Sequence, residues 1–348
     1  MTVGRIIHKL LFGGQVIKAR LLKQYIPFYV SLFLTKNCNF KCIYCVGRYG
    51  RYQKEKDLSL DQIKFIIDEF KNGGTKRMCL VGGEPLLRDD IGEIIEYIRY
   101  NEIAVSLTTN GRLIKKRLNQ IKRLNHLYVS LDGDKKGHEL NRGKNFERVM
   151  DGINAAVKYV PVGIVTVMTK YNLHSLDYLV NFAKEKNLSL FIYTAMNQVD
   201  NDKGKVTIEA LPTKEEHRAL LTKIIAYIKE GAPIRASTRV YEISLNWPDY
   251  KKDVYLLNEP KFNYIKCYAG KYHCAIDPEG FIYPCARMVG VDKPLSIFTD
   301  GFEKAWKKVN NHYCRACRIE CHNEMNLLFS FNINVLLNAF KLVERKET

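Results

Sequence analysis

Cys38, Cys42 and Cys45 fall within eight residues, in the run Cys38-Asn39-Phe40-Lys41-Cys42-Ile43-Tyr44-Cys45. Three thiolates on one tight loop can each bind a different iron of a cubane cluster and leave the fourth iron open. An open iron is a site for a chelating substrate. Zinc would need a fourth ligand close by, and none of the next thirty residues is Cys or His. Three structural or free cysteines are the bland alternative, and this spacing argues against it.

A second group sits near the other end of the chain: Cys267, Cys274, Cys285, Cys314, Cys317 and Cys321. The run Asp277-Pro278-Glu279-Gly280 reads as the turn of a hairpin that ends at Cys285. A hairpin cysteine pair and a later CxxC, here Cys314-Arg315-Ala316-Cys317, can close around one metal centre. A four-cysteine zinc site is the alternative reading. His273 and His322 neighbour cysteines and read as solvent-exposed or hydrogen-bonded. Cys79, flanked by Met78, Leu80 and Val81, reads as a buried core thiol.

The elements that must carry these groups follow from hydrophobic periodicity. Strands are predicted at 28–35, 77–81, 104–109, 126–131, 162–168 and 189–194. Between them, helices are predicted at 60–72, 91–100, 113–124, 145–159 and 173–186, and a further helix at 215–229. Strands alternating with helices of this length imply a parallel sheet with right-handed crossovers. The fold class is α/β, a partial (β/α)6 TIM-like barrel followed by a small cysteine-rich domain. The expected organisation is a basic amphipathic segment at 1–27, the partial barrel at 28–205 and a connecting helical region at 206–262. A metal-stapled module then spans 263–322, and an amphipathic helix spans 323–348.

With the first cysteine run placed after the first strand, CNFKCIYC resembles the CxxxCxxC signature of the radical SAM superfamily. The resemblance continues at Gly82-Gly83-Glu84-Pro85, which is similar to the family's GGEP motif. It implies that Gly82, Gly83 and Glu84 hold the amino group of S-adenosylmethionine. Glycines let a backbone come close, and a carboxylate at a strand end suits an ammonium. Thr108-Thr109-Asn110-Gly111 and Ser130-Leu131-Asp132-Gly133 end the third and fourth strands. By resemblance, Thr108, Asn110, Ser130 and Asp132 reach the ribose and the methionine end. Arg142 resembles the family's partner for the methionine carboxylate, a role that suits its planar fork. Val165 and Val167 would flank the adenine, and Tyr44 belongs to the cofactor-binding set.

The later cysteines resemble the SPASM and twitch modules of the same superfamily, which carry auxiliary 4Fe–4S clusters. Six cysteines are too few for two further clusters, so one auxiliary cluster is expected. Cys267, Cys285, Cys314 and Cys317 are its expected ligands, with Cys321 a close contender and Cys274 spare. The resemblance implies an enzyme, an oxidoreductase or a bond-forming one, with one catalytic and one auxiliary 4Fe–4S cluster. A one-electron donor such as flavodoxin or ferredoxin would feed it. Reductive cleavage of S-adenosylmethionine would give a 5′-deoxyadenosyl radical that takes a hydrogen atom from a second substrate.

Composition bounds the partners. The 348 residues include 55 basic and 37 acidic ones, a net charge of +18. This balance points to an anionic substrate or an anionic membrane surface. No secretory signal and no apolar run of about 18 residues is present, so a cytoplasmic location, peripheral to the membrane at most, is expected. Apolar stripes at Val3, Ile6, Ile7, Leu10 and Leu11 and at Leu328, Phe331, Val335, Leu336, Ala339, Phe340 and Val343 make a lipid or isoprenoid-type substrate one reading. Maturation of a ribosomal peptide or protein is the alternative. An RNA-modifying or RNA-binding iron–sulfur protein is a third reading, although no aromatic-interleaved basic motif is present. DNA is not expected.

Overall fold

The computed structural model describes residues 13–45, 57–196, 208–250, 252–289 and 293–330. The N-terminal stripe at 3–11 lies outside them, as does all of the C-terminal stripe except Leu328. Helix α1 covers residues 13–21. Six strands with helices between them follow: β1 (Tyr29–Phe33), α2 (Leu60–Asn72), β2 (Arg77–Val81), α3 (Ile91–Tyr100), β3 (Ala104–Thr109), α4 (Ile114–Ile121), β4 (His126–Ser130), α5 (Lys135–Arg142), α6 (Phe146–Ala156), β5 (Val162–Met168), α7 (Leu176–Glu185) and β6 (Ser189–Thr194). Then come α8 (Lys214–Lys229), α9 (Thr238–Leu245), β7 (Val254–Leu256), β8 (His273–Ile276), β9 (Phe281–Tyr283), β10 (Leu295–Ser296), α10 (Phe302–Asn310), β11 (Cys314–Cys317) and α11 (Glu320–Phe329).

Local chemistry explains the repeating unit. In β1, Val30 and Leu32 are buried, while Tyr29, Ser31 and Phe33 are only partly so, the period-two alternation of a two-sided strand. Helix α2 opens on a reciprocal capping box between Ser59 and Gln62 and buries Ile63, Ile66, Ile67 and Phe70. These side chains pack with Val30, Leu32, Met78 and Leu80 in the layer between sheet and helices. Strands β1 to β6 pair in sequence order, each parallel to the next.

The sheet curls. Tyr29 on β1 lies within electrostatic reach of Tyr193 on β6. In a flat sheet five strand spacings would separate them by about 24 Å. The alternate residues therefore line a lumen.

The cysteine-rich module is joined to this barrel. Its hairpin, β8–β9, forms with the predicted turn: Asp277 Oδ1 accepts from the Glu279 and Phe281 amides. Yet β8 also pairs in parallel with β1, extending the main sheet to the order β10-β9-β8-β1-β2-β3-β4-β5-β6. On the other side, Glu320 at the start of α11 accepts from Thr194 Oγ1 at 2.6 Å, at the end of β6. Phe329 at its end stacks near Tyr272 and His273, beside β8. Helix α11 thus spans the open side of the six-stranded arc.

Candidate active site

Parallel strands bring their C-terminal ends to one rim, and the first cysteine loop lies there. Leu34 donates to the Val81 carbonyl at 2.9 Å, and Gly83 donates to the Thr35 carbonyl at 2.7 Å. A Cβ on Gly83 would sit 2.1 Å from the Asn37 carbonyl oxygen, so only glycine lets the end of β2 touch this loop. The far end of the loop is tied to α5, where the Ile43 amide donates to the Asn141 carbonyl at 3.0 Å.

Cys38, Cys42 and Cys45 are each partly exposed and lie within electrostatic reach of one another. Burial pushes the Cys38 thiol up to about 11. It pushes Cys42 up to about 12, against the pull of the Arg142 guanidinium. Arg142 Nη1 lies 3.7 Å from Cys42 Sγ. Three thiols on one loop with a guanidinium beside them fit an anionic iron–sulfur cluster.

Glu84 is fully buried. Its Oε1 accepts from the Leu86 amide at 3.0 Å and from Thr109 Oγ1 at 2.7 Å, and its Oε2 accepts from the Asn110 amide at 2.7 Å. Burial outweighs these donors and raises its carboxyl to about 7. A carboxylate has about four lone-pair sites, so one further donor can still be accepted. Asn110 also ties the rim to the cysteine loop, its Nδ2 donating to Asn39 Oδ1 at 2.7 Å.

Arg142 has a carboxylate partner inside the protein: its Nε donates to Asp132 Oδ2 at 2.7 Å. Asp132 also accepts from Tyr44 Oη at 2.6 Å and from the Val167 amide at 3.1 Å. Arg142 lies over the Tyr44 ring at 5.4 Å. Asp132, Tyr44, Arg142 and Val167 are therefore one knot beside Cys42. Thr108 faces the lumen with Oγ1 3.7 Å from Cys79 Sγ, while Thr109 bonds Glu84 at the rim. Ser130 lies at the end of β4, buried at the lumen side.

A layer of buried polar residues that the sequence did not single out holds this knot. Asn172 Nδ2 donates to the Asp132 carbonyl at 2.7 Å and to the Val167 carbonyl at 3.0 Å. The Asp132 amide donates to His138 Nδ1 at 3.3 Å, and Thr169 Oγ1 donates to Asn141 Oδ1 at 2.8 Å. Isolated Asn, Thr and His residues carry no spacing signal. The N-cap Asp134, whose Oδ1 accepts from the Gly137 amide at 2.8 Å, is the one local mark of α5.

Below the rim, Tyr29, Ser31, Cys79, Ser106, Tyr128 and Tyr193 occupy inward positions. Cys79 is buried, as expected, and sits on the lumen side of β2, outside the apolar cluster that takes Met78 and Leu80. His126, Tyr128 and Phe191 pack ring to ring at the floor. Gly163 makes room for them, since a Cβ there would meet His126 Nε2 at 2.9 Å. Among the described inward strand positions of β1 to β6, Arg77 alone carries a charge.

Five of the six later cysteines converge. Cys267 and Cys314 share a thiol hydrogen bond that holds the Cys267 thiol low and pushes Cys314 up. Cys285 and Cys317 lie within reach of both, and Cys321 within reach of Cys285 and Cys317. Burial raises Cys285 and Cys321 to about 12 each. Cys274 stands apart in the main apolar core, where burial alone pushes its thiol up. His273 is buried, its Nε2 3.4 Å from Asn326 Oδ1. Beside these thiols Arg318 is fully buried, donating through Nε to Asp253 Oδ1 at 2.6 Å and lying 3.2 Å from His217 Nε2.

Residues 32–183 match the family model for the Radical SAM superfamily. The chain is 32% identical over 174 residues to GTP 3′,8-cyclase of Limosilactobacillus fermentum, covering 47% of this chain and 52% of that one. It is 28% identical over 274 residues to AdoMet-dependent heme synthase of Methanosarcina barkeri, covering 75% and 77%. The chain thus spans about half the length of the GTP 3′,8-cyclases it matches. In fold it is similar to Streptococcus suis SuiB bound to S-adenosylmethionine, with a TM-score of 0.65 at 18% identity, over 85% of this chain and 70% of that one.

Proposed function

Because this chain belongs to the radical SAM superfamily, we propose that Cys38, Cys42 and Cys45 hold its catalytic 4Fe–4S cluster and that the lumen below receives the substrate. The observation that carries this reading is the rim itself: three thiols, a buried carboxylate with one acceptor site to spare, and the Asp132–Arg142 knot, all at the strand C-termini. When bound, the cluster supplies one electron that breaks a carbon–sulfur bond of S-adenosylmethionine and starts radical chemistry. Glu84 takes the amino group of the cofactor, and Arg142 steadies Cys42 and Tyr44 through Asp132. The curled sheet keeps water away from the reacting atoms.

Three thiols on the first loop and five gathered thiols in the later module suit one cubane each. The second cluster is assigned to Cys267, Cys285, Cys314 and Cys317. These cysteines lie next to α11 on the open side of the barrel, and a cluster bound there would supply a one-electron redox centre.

The lumen speaks to the substrate. Its phenols, hydroxyls and single thiol suit an uncharged, hydroxyl-bearing group. The cations at its floor are Arg77 on β2 and Arg235, whose Nε donates to Ser189 Oγ at 2.9 Å. Two cations at one end suit a triphosphate less well than an uncharged group suits the phenols and hydroxyls above them. The relatives named above give no support to a lipid or isoprenoid-type substrate.

The test is anaerobic reconstitution with iron and sulfide, then reduction with dithionite. Wild-type protein should make 5′-deoxyadenosine from S-adenosylmethionine, with no stimulation by GTP. The variant with Cys38, Cys42 and Cys45 all replaced by Ala should make none while keeping about four irons in the second site. Continued turnover in that variant would reject the cluster assignment. Stimulation by GTP would reject the substrate reading alone.

A further inference from the structure

Helix α1 lies across the end of the barrel opposite the cysteine rim. Its Val16 and Ala19 are buried against Phe28, Tyr268, Tyr272 and Phe329. Phe28 immediately precedes β1, and Tyr272 immediately precedes β8, so this is the N-terminal end of the strands. The outward face of α1 and the turn after it is apolar. Leu21 is 78% exposed, Leu22 56%, Ile17 46% and Tyr25 43%. One exposed leucine is ordinary, but four large apolar side chains within nine residues form a patch.

Cations gather around this patch: residues 13–28 carry Lys18, Arg20 and Lys23 and no acidic residue. Lys18 and Lys23 flank the leucines and are exposed. Lys271 lies over the Tyr25 ring at 5.4 Å, and Trp306 Nε1 donates to the Tyr25 carbonyl at 3.0 Å. That bond brings exposed Lys307 and Lys308 of α10 to the same end. No helix among the described residues is long and apolar enough to cross a membrane.

We infer that this face docks on an anionic lipid surface, with the leucines and Tyr25 entering the headgroup region and the lysines pairing with lipid phosphates. Apolar residues flanked mainly by cations suit that surface, because the two terms add to binding. A protein partner would need a matching acidic rim around an apolar pocket, whereas an anionic bilayer supplies both along its whole surface. The five residues of β1 put about 17 Å of strand between the patch and the rim. Docking therefore leaves the cysteine loop facing away from the bilayer, which separates where the enzyme sits from what it modifies.

The test is flotation of reconstituted full-length protein with vesicles of phosphatidylcholine alone or mixed with phosphatidylglycerol. Binding should require phosphatidylglycerol and should fall when salt is raised. Replacing Leu21 and Leu22 together by Glu should cut binding at least about tenfold, with iron content and 5′-deoxyadenosine formation unchanged. The pair Lys18→Glu and Lys23→Glu should give a similar loss, and it keeps the question open to decision should the leucine variant not fold. Absence of flotation with phosphatidylglycerol at low salt would overturn the inference. So would binding that both double variants retain, or a dimer in sedimentation that the leucine variant dissolves, which would give the patch to a second copy of the chain.

Discussion

At the scale of single residues, Glu84 shows how burial and function pull against each other. Three hydrogen-bond donors favour its ionised form, yet burial raises the carboxyl from its ordinary 4.5 to about 7. A cationic ligand reverses the balance. An ammonium beside Glu84 favours the carboxylate, so binding the amino group of S-adenosylmethionine releases a proton whenever Glu84 starts neutral. The sign follows: affinity is weak below pH 7, rises through it and levels off above, losing about tenfold for each pH unit below the midpoint. Glu84→Gln should weaken binding by about 1.5–3 kcal/mol and flatten the pH profile. Equilibrium dialysis of S-adenosylmethionine against the reconstituted protein from pH 6 to pH 8 measures both. If the Glu84→Gln variant kept the full pH dependence, the titrating group would lie elsewhere.

At the scale of elements, local pattern and long-range pairing are not equally legible. Strands β2, β3, β5 and β6 fall where period-two alternation and their flanking turns put them. Helix α5 is absent from the predicted helices because its eight residues are mostly polar, with Leu140 half-exposed, so no apolar stripe marks it. Arg142 ends this helix and faces Asp132, a partner that the sequence alone does not show. The parallel pairing of β8 with β1 has no local signature, because register between segments about 240 residues apart is decided by the assembled sheet. Strand parity also sorts the cysteines. Cys274 points to the apolar layer with Ile276, whereas Cys267, Cys285, Cys314 and Cys317 gather beyond the hairpin's end. Cys274→Ala should therefore keep the full complement of about eight irons, and Cys285→Ala should fall to about four. Cys321→Ala should stay near eight, since four other thiols complete the site. A fall to four in Cys321→Ala, with Cys314→Ala unaffected, would exchange those two ligands.

At the scale of the whole molecule, a basic chain with buried neutral histidines is built to fail in acid. His138 and His217 are buried, and burial lowers the first to about 4 and the second to about 3, from an ordinary 6.5. Each accepts or faces a hydrogen bond that needs a bare nitrogen: the Asp132 amide donates to His138 Nδ1, and Arg318 Nη1 lies 3.2 Å from His217 Nε2. Protonating either would place a second cation beside Arg142 or Arg318. Because both folded values lie below the unfolded one, the unfolded chain binds more protons at any pH under 6.5. Stability is thus full above about pH 6.5 and is lost as pH falls towards 4, by about 1.4 kcal/mol per pH unit for each histidine. The net charge of +18 adds repulsion over the same range as carboxylates are neutralised. His273 and His322 are lowered by burial in the same way, to about 3 and about 4. NMR of protein with labelled imidazoles should show at least four rings that stay neutral from pH 8 to pH 5, those of His138 and His217 among them, and thermal unfolding should begin earlier at pH 5 than at pH 7. His217→Gln should remove about a quarter of the histidine-linked acid sensitivity while leaving the cysteine rim, which His217 does not touch, able to bind S-adenosylmethionine. If both rings instead titrated near 6.5 in the folded protein, their neutral hydrogen bonds could not be holding the Asp132 knot and the Arg318 junction in place, and the acid sensitivity would have to come from the carboxylates alone.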